Sequence, residues 1–356
     1  MSGSCVLVTG GEGFIAGHVL LQLLDSGYQV KASLLCAKNA DKVRSKIKRH
    51  LKDAASLHQL SFVEADLTAD SGWAEACQGC KYVLHIAGVV PSTPVGHIDE
   101  LLVPAREGTL RVLRAAKRAG VQRVVLTSSV AACGWGHPLQ AGDSKVYTEA
   151  SWSNPDAPEH LINPYQKTKT LAELAAWDWV AQEGGLELVS VLPSVVLGPL
   201  LSKDVPASAQ LICSMLDGNM ALIPNLSVGI VDVRDAAALH LLALESKEAH
   251  GHRFCCTCPG VMSLREMAEV MRAAEGQLEE IHRHKVPCRR IPDALVRMGS
   301  WFSGFLRVLS NDLSIAREFS PNKAHDMLGW STRSPEEAVI ACARSLVEHK
   351  VIPPQA

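Results

Sequence analysis

Through the first half of the chain, short apolar runs rich in β-branched residues alternate with longer stretches of helical periodicity. The runs predict strands at Cys5–Thr9, Gln29–Leu35, Leu60–Glu64, Tyr82–Ala87, Arg123–Ser128 and Leu188–Leu192. Helices are expected to start near Phe14, Asp41, Gly72, Asp99 and Asn163; Leu110, Leu113 and Ala116, for example, recur at the spacing of one helix face. Strands and helices in alternation imply an α/β fold, a doubly wound parallel sheet with helices on both faces. After Pro193 the alternation breaks at Pro199, Pro206 and Pro224, as expected of long excursions that build a smaller C-terminal lobe. The apolar stretch Ile230 to Leu244 returns to the sheet. The expected division is therefore 1–192 plus about 229–250 for the sheet domain and 193–228 plus 251–356 for the lobe, with a frayed tail at Pro353-Pro354-Gln355-Ala356.

Composition removes several function classes. With 47% hydrophobic and 20% charged residues the chain can fill a large core and is not a disordered or fibrous protein. Its net charge of −2 gives no general attraction to nucleic acid or to an anionic membrane. Met1 runs straight into the strand-like Cys5-Val6-Leu7-Val8, so no secretory signal is expected. No run of eighteen apolar residues occurs; Trp301 to Leu309 is interrupted by Gly304 and Arg307, so no membrane span is expected. The 11 cysteines, an odd number, fit reduced thiols in a cytoplasmic protein. Cys77 and Cys80 form a CxxC, and Cys255, Cys256 and Cys258 lie near His250 and His252. Neither group has a second half at structural-zinc spacing, so no metal site is expected.

The strand–turn–helix VLVTGGEGFIAGH supplies the first chemistry. Gly10 permits a tight turn, Gly13 lets backbone approach a pyrophosphate, and the small Ala16 lets helix and strand pack closely. The anion would sit at the helix N-terminus, where unpaired N–H groups and the helix dipole favour negative charge. The sheet domain is then a dinucleotide-binding Rossmann domain and the lobe holds the substrate. An acid closing the second strand would hold the ribose hydroxyls of NAD, but that strand ends Ser33-Leu34-Leu35-Cys36. Lys38, Lys42 and Arg44 follow, which favours NADP(H), with Lys38 and Lys42 at the extra phosphate and NAD(H) as the alternative.

Tyr165-Gln166-Lys167-Thr168-Lys169 reads YxxxK. Residues four apart share a helix face, so Tyr165 and Lys169 can enter one cleft. A phenol ordinarily titrates near pH 10, and an ammonium ~4–6 Å away favours the phenolate; Lys169 would supply it and also anchor the nicotinamide ribose. The strand VVLTSS brings Ser129 to its C-terminal end, where open α/β sheets present residues to the crevice. Ser129 can donate to a carbonyl oxygen as charge develops there, and Tyr165 can protonate that oxygen once hydride arrives.

Taken together, VTGGEGFIAGH, Ala65-Asp66-Leu67, HIAG at 85–88, EGTLRVLRAA, LTSS, PYQKTKTLAELAAW, LPSVVLGP and VDVRDAAALH resemble the extended short-chain dehydrogenase/reductases, more narrowly the dihydroflavonol-reductase-like group. The likeness covers about the first 240 residues, with LGW near the C-terminus. It implies a carbonyl reductase or alcohol dehydrogenase with Ser129, Tyr165 and Lys169 catalytic. Gly10, Gly13, Phe14 and Ile15 would line the pyrophosphate turn, Asp66 and Leu67 would meet the adenine, and Pro193 and Val196 would border the nicotinamide. Ala87 and Thr127, in HIAG and LTSS, complete the cofactor set, and a homodimer through the helix before YxxxK and the helix containing it is implied. His85 is expected to be a packed structural residue.

Three positions depart from the pattern. Leu35 stands where the family often has an arginine for the NADP phosphate, leaving Lys42 as the aligned cation. Cys133 stands where plant dihydroflavonol reductases use asparagine, so a dihydroflavonol substrate is not supported. Ala16 replaces the last motif glycine. The competing readings are a nucleotide-sugar epimerase or dehydratase, a hydroxysteroid-type dehydrogenase, and a non-catalytic cofactor-sensing regulator. The substrate is expected to be a small-molecule carbonyl or alcohol, bulky or hydrophobic, with Met215, Leu222, Trp301, Phe302 and Phe305 as candidate pocket residues.

Overall fold

The computed structural model describes residues 3–88, 97–274, 285–301, 306 and 309–352. Seven parallel strands form its central sheet: β1 (Cys5–Val8), β2 (Gln29–Leu34), β3 (Leu60–Glu64), β4 (Tyr82–His85), β5 (Arg123–Thr127), β7 (Glu187–Pro193) and β11 (Arg253–Cys256). Their spatial order is β11-β7-β5-β4-β1-β2-β3. A short strand, β6 (Ser144–Tyr147), falls between β5 and β7 in the chain and lies outside this sheet. Order reverses between β1 and β4, which opens a crevice beyond the carboxyl ends of those two strands.

Helices cover both faces because sheet strands buried on two sides are apolar throughout. On one face α1 (Phe14–Asp25) and α7 (Val233–Glu245) share a core with Val6, Val8, Val30, Leu84, Val189 and Phe254. On the other, α3 (Trp73–Cys77), α4 (Asp99–Arg118) and α5 (Pro164–Glu183) share a core with Leu7, Val83, Val124 and Leu188. Leu110, Leu113 and Ala116 of α4 are buried there, as their spacing predicted. The remaining helix of this half, α2 (Ala40–Lys48), buries Val43 and Ile47.

A second core belongs to the lobe. It gathers β8 (Val195–Leu197), α6 (Gln210–Asp217), α8 (Leu264–Ala273) and the C-terminal helix Pro335–Glu348 around Met215, Met267, Met271 and Leu346. Within it β8 pairs in parallel with β10 (Ile230–Asp232), and β9 (Ser227–Val228) pairs with β12 (Met262–Ser263).

Two segments assigned by sequence to the lobe lie with the sheet domain instead. Arg253–Cys256 pairs with β7 and forms the sheet edge, because all four of its side chains are buried. Further on, β13 (Ala316–Phe319) pairs with β6, and Ala324 and Trp330, in and beyond α10 (Asn322–Leu328), enter the core shared by α1 and α7. The Trp330 indole donates to the Asp235 carbonyl at 2.9 Å, which fixes the LGW turn on α7. The chain then closes with α11 (Pro335–Glu348).

Candidate active site

The turn after β1 is shaped by close backbone approach. Gly10 has φ +68°, and a Cβ there would come within 3.1 Å of the Ala87 backbone. Gly10 N–H donates to Ser33 Oγ at 3.1 Å and Gly11 N–H to the Ser33 carbonyl at 2.8 Å, tying the turn to β2. A Cβ on Gly13 would lie 3.2 Å from the Gly10 carbonyl, so the cradle closes if either glycine gains a side chain. Gly13 precedes α1 without any side-chain cap, and the first turn of the helix carries no acid. The first N–H groups of α1, at Phe14 and Ile15, therefore remain open donors with the positive end of the helix dipole behind them. A dinucleotide pyrophosphate fits this arrangement, and Ala16, fully buried, packs the helix onto the strand.

A cleft of about 850 Å³ runs from this turn across the ends of β1, β4, β5 and β7. Gly10, Gly13, Phe14, Ile15, Asp66, Leu67, Ala87, Thr127, Ser129, Tyr165, Lys169, Pro193 and Val196 all line it. At the adenosine end, Asp66 Oδ1 accepts from Thr68 N–H at 2.8 Å, so its carboxylate also holds the local turn. Lys38 and Lys42 are not among the lining residues. Lys42 lies on α2 toward the loop after β8, where it pairs with Asp204 at 2.8 Å, and Lys38 is exposed on the turn after β2. Leu35 stands at the cleft rim, 65% exposed, and the nearby carboxylate of Glu64, which ends β3 beside Leu34, accepts from Ala37 N–H at 2.8 Å.

Helix α5 presents the YxxxK pair. A reciprocal capping box fixes its start: Asn163 Oδ1 accepts from Gln166 N–H at 3.0 Å, and Gln166 Oε1 accepts from Asn163 N–H at 2.8 Å, with Pro164 in the first turn. Lys169 Nζ stands 5.9 Å from the centre of the Tyr165 ring. Gly88 makes room for that ammonium; a Cβ at Gly88 would be 3.2 Å from Nζ. Ser129 Oγ, at the end of β5, accepts from Ala131 N–H at 3.1 Å and reaches the Pro193 carbonyl only at 3.4 Å.

Two buried histidines brace the floor. His240 Nδ1 lies 2.7 Å from the Ala236 carbonyl, which can only accept, so Nδ1 carries the proton and Nε2 accepts from the Thr127 hydroxyl at 2.7 Å. His85 Nδ1 is 2.9 Å from Thr9 Oγ1, which in turn accepts from Ala87 N–H at 2.9 Å. Burial depresses both imidazoles, His240 to about 4 and His85 to about 3, the latter also through the nearby Lys169 charge. Both are neutral, and His85 braces the turn as expected of a packed residue.

Behind Ser129 lies an ion pair the sequence reading missed. Glu173, one turn beyond Lys169 on α5 and almost fully buried, accepts from Ser128 Oγ at 2.7 Å and from Arg253 Nε at 2.8 Å. Arg253 also donates to the carbonyls of Glu149 and Ser151 at 2.8 and 2.9 Å, and its guanidinium stacks 3.5 Å from the Trp152 ring centre. Burial would lower the guanidinium pKa, but the Glu173 carboxylate outweighs it, so the group stays charged. The available signal was a glutamate at i+8 from Tyr165, on the same helix face.

The substrate half differs from expectation. Val130, Ala131, Trp135, Pro206 and Ala207 line it. Trp135 stacks on Phe319, with ring centres 5.8 Å apart, and donates from its indole to Asp312 at 3.3 Å. Of the residues expected there, Met215 is buried in the lobe core, Leu222 and Trp301 are exposed on the surface, and Phe302 and Phe305 lie outside the described residues. An apolar stripe alone could not separate core, surface and pocket. The cysteines Cys77, Cys80, Cys255, Cys256 and Cys258 are buried, and no group of three or more metal-ligating side chains is found among the described residues.

Comparison with known proteins agrees with this geometry. The model of the NAD dependent epimerase/dehydratase family matches residues 6–256. Cinnamoyl-CoA reductase 1 of Petunia hybrida is 37% identical over 255 residues, 72% of this chain and 73% of that protein. Tetraketide alpha-pyrone reductase 1 of Arabidopsis thaliana is 33% identical over 347 residues, 96% of this chain and 95% of the relative. Among solved structures, Gre2 of Candida albicans in complex with NADPH superposes with a TM-score of 0.77 at 25% identity, covering 97% of this chain and 99% of that one.

Two outcomes follow from the buried groups. Arg253→Met leaves the Glu173 carboxylate buried without its partner, and should cost about 3–5 kcal/mol in urea denaturation; a loss below ~1 kcal/mol would show the pair to be dispensable. His18, His85 and His240 are held at about 4, 3 and 4, chiefly by burial. Each binds its proton less well folded than unfolded, so the unfolded chain takes up the extra protons below about pH 6.5. Stability is full above that value and falls toward pH 4, by up to about 1.4 kcal/mol per pH unit for each histidine. The urea midpoint should drop between pH 7 and pH 5; a constant midpoint would contradict neutral buried rings.

Proposed function

The chain belongs to the NAD dependent epimerase/dehydratase family, and on that premise we propose that Ser129, Tyr165 and Lys169 carry out its carbonyl chemistry. The protein is an NAD(P)H-dependent oxidoreductase that interconverts a ketone or aldehyde and an alcohol, with NADP(H) as its cofactor. The observation that carries the proposed residue roles is the shared cleft: an uncapped helix N-terminus at one end, and the hydroxyl, phenol and ammonium at the other.

When bound, NADPH supplies the hydride that adds to the carbonyl carbon. Ser129 Oγ is anchored by the Ala131 N–H, while its own proton is held only loosely at Pro193 and can turn to the substrate oxygen. Tyr165 donates its hydroxyl proton to that oxygen, completing the alcohol, and recovers a proton from solvent. Lys169 places its positive charge beside the ring that gives up the proton. Glu173 and Arg253 hold β5, α5 and β11 in register behind these groups.

Lys38 is the proposed 2′-phosphate cation, since Lys42 is occupied by Asp204 and Lys38 has no carboxylate partner among the described residues. The apolar half of the cleft, ending at Trp135, favours a hydrophobic carbonyl. The cleft supplies nothing that favours a sugar epimerase or dehydratase, a hydroxysteroid dehydrogenase or a silent regulator. The eleven unpaired cysteines support a cytoplasmic location. No helix among the described residues is long and apolar enough to cross a membrane. A homodimer through α4 and α5 rests on the family resemblance alone.

Tyr165→Phe should lower kcat for a hydrophobic aldehyde or ketone by roughly 10²–10⁴-fold while NADPH still binds. Nicotinamide absorbance reads the first and cofactor fluorescence the second; undiminished turnover would overturn the assignment. Lys38→Gln should raise KM for NADPH several-fold, roughly the loss of one charge-assisted contact, and leave KM for NADH unchanged. Lys42→Gln serves as the neutral control.

A further inference from the structure

The net charge of −2 conceals an uneven surface. On one side of the lobe, α9 (Asp293–Gly299) turns its inner residue Val296 into the protein and its outer residues to solvent. Leu295 and Met298 of α9 are 49% and 53% exposed and share one helix face; Trp301, two residues past the helix end and 77% exposed, continues the turn by donating from its N–H to the Met298 carbonyl at 3.3 Å. Leu222, 42% exposed, precedes Ile223, which bridges to Arg290 and donates from its N–H to the Arg289 carbonyl at 2.9 Å. Soluble chains scatter single apolar residues over their surface, but three at successive turns of one short segment are a patch.

Among the described residues, the exposed charges that flank this patch along 285–301 have one sign. Lys285, Arg289, Arg290 and Arg297 are exposed beside it. The acid of the segment, Asp293, accepts from Ser314 Oγ at 2.5 Å, and Glu266, the carboxylate that Arg290 influences, is engaged in the capping box of α8. Among the described residues none of the four cations forms an ion pair with a carboxylate. The segment is firmly seated, since Val286 and Val296 are both 1% exposed.

We propose that this face is a docking surface for an anionic lipid bilayer, lying in the headgroup region without spanning it. Trp, Met and Leu offer what the acyl boundary takes up, an indole suits the interface, and the arginines meet lipid phosphates and carboxylates. The charge also argues against a symmetric contact with a second copy, which would bring Arg289, Arg290 and Arg297 against their own equivalents. Two hydrogen bonds relate the patch to the cleft: Ser314 joins Asp293 at the start of α9, and two residues earlier Asp312 accepts from Trp135 in the cleft wall. A hydrophobic carbonyl dissolved in the bilayer would thus be met near the cleft's apolar half. The docking surface itself does not depend on which reaction the cleft performs.

The test is flotation of the full chain with vesicles of phosphatidylcholine alone and of two parts phosphatidylcholine to one part phosphatidylserine. Binding is expected only to the anionic vesicles, and it should weaken at ~0.5 M salt, where screening shortens to a few ångströms. The triple variant Arg289→Gln, Arg290→Gln, Arg297→Gln should bind about a hundredfold more weakly, near fivefold for each charge. Leu295→Ser, Met298→Ser, Trp301→Ser should lose roughly tenfold or more through the lost apolar contact. Both variants should keep the wild-type melting temperature and turnover of a water-soluble aldehyde. Absence of vesicle binding at low salt, or binding that neither variant changes, would overturn the proposal. So would a wild-type dimer on size-exclusion chromatography that the apolar variant converts to monomer, since the face then belongs to a second copy.

Discussion

A single buried carboxylate determines whether the catalytic groups stand together. Ser129 lies two residues past strand β5, whereas Tyr165 and Lys169 project from helix α5, and backbone hydrogen bonding alone does not fix one against the other. Glu173 closes that gap by accepting from Ser128, just past the strand, and from Arg253 on the sheet edge, while itself belonging to the helix. Arg253 extends the tie to the loop at Glu149 and Ser151. A buried pair of this kind contributes little net stability compared with apolar residues of the same size, because desolvation offsets the attraction. Its directional bonds do what an apolar contact cannot, fixing strand, helix and edge to within hydrogen-bonding tolerance.

The same logic governs the opposite wall. Thr127 and Thr9 both carry hydroxyls at strand ends, where a free rotor could point into the cleft or away from it. Neutral His240 accepts the Thr127 proton, and His85 with the Ala87 amide engages Thr9. Burial keeps both rings uncharged, so they orient the hydroxyls without adding positive charge near the Lys169 ammonium. Lys169 thus stands as the cation of the catalytic end, and Gly88 leaves the space it needs.

How much of this was legible depended on whether the determinant was local. The six central-sheet strands from Cys5 to Pro193 and the helices between them follow from periodicity, the glycine turn and YxxxK follow from short spacings, and the outlying β6 was not read. Arg253–Cys256 was not legible as a sheet strand, since four residues with a leading arginine carry no period and their burial depends on β7 beside them. Glu173 could be placed on the Tyr165 face of its helix, but its pairing was not legible, as its partner lies 80 residues away. Met215, Leu222 and Trp301 illustrate the converse. All three are apolar by composition, yet one fills a core and two face solvent, a distinction set by tertiary packing alone.

Cofactor preference is better understood by subtraction than by counting cations. NAD selection requires an acceptor for the ribose hydroxyls at the end of β2, and Ser33, the one hydroxyl there, is already bonded to the Gly10 amide. Two acids line the cleft, Glu12 and Asp66, and both are engaged locally, Glu12 with the Asn39 amide and Asp66 with its own turn. An acid placed at Leu35 would repel a 2′-phosphate by about 4 kcal/mol per unit charge at 4 Å near a protein surface. Leucine at that position removes the repulsion while giving the NAD ribose nothing in return. An exposed cation such as Lys38 then tilts the balance, since the neighbouring Glu64 carboxylate is already engaged by the Ala37 N–H.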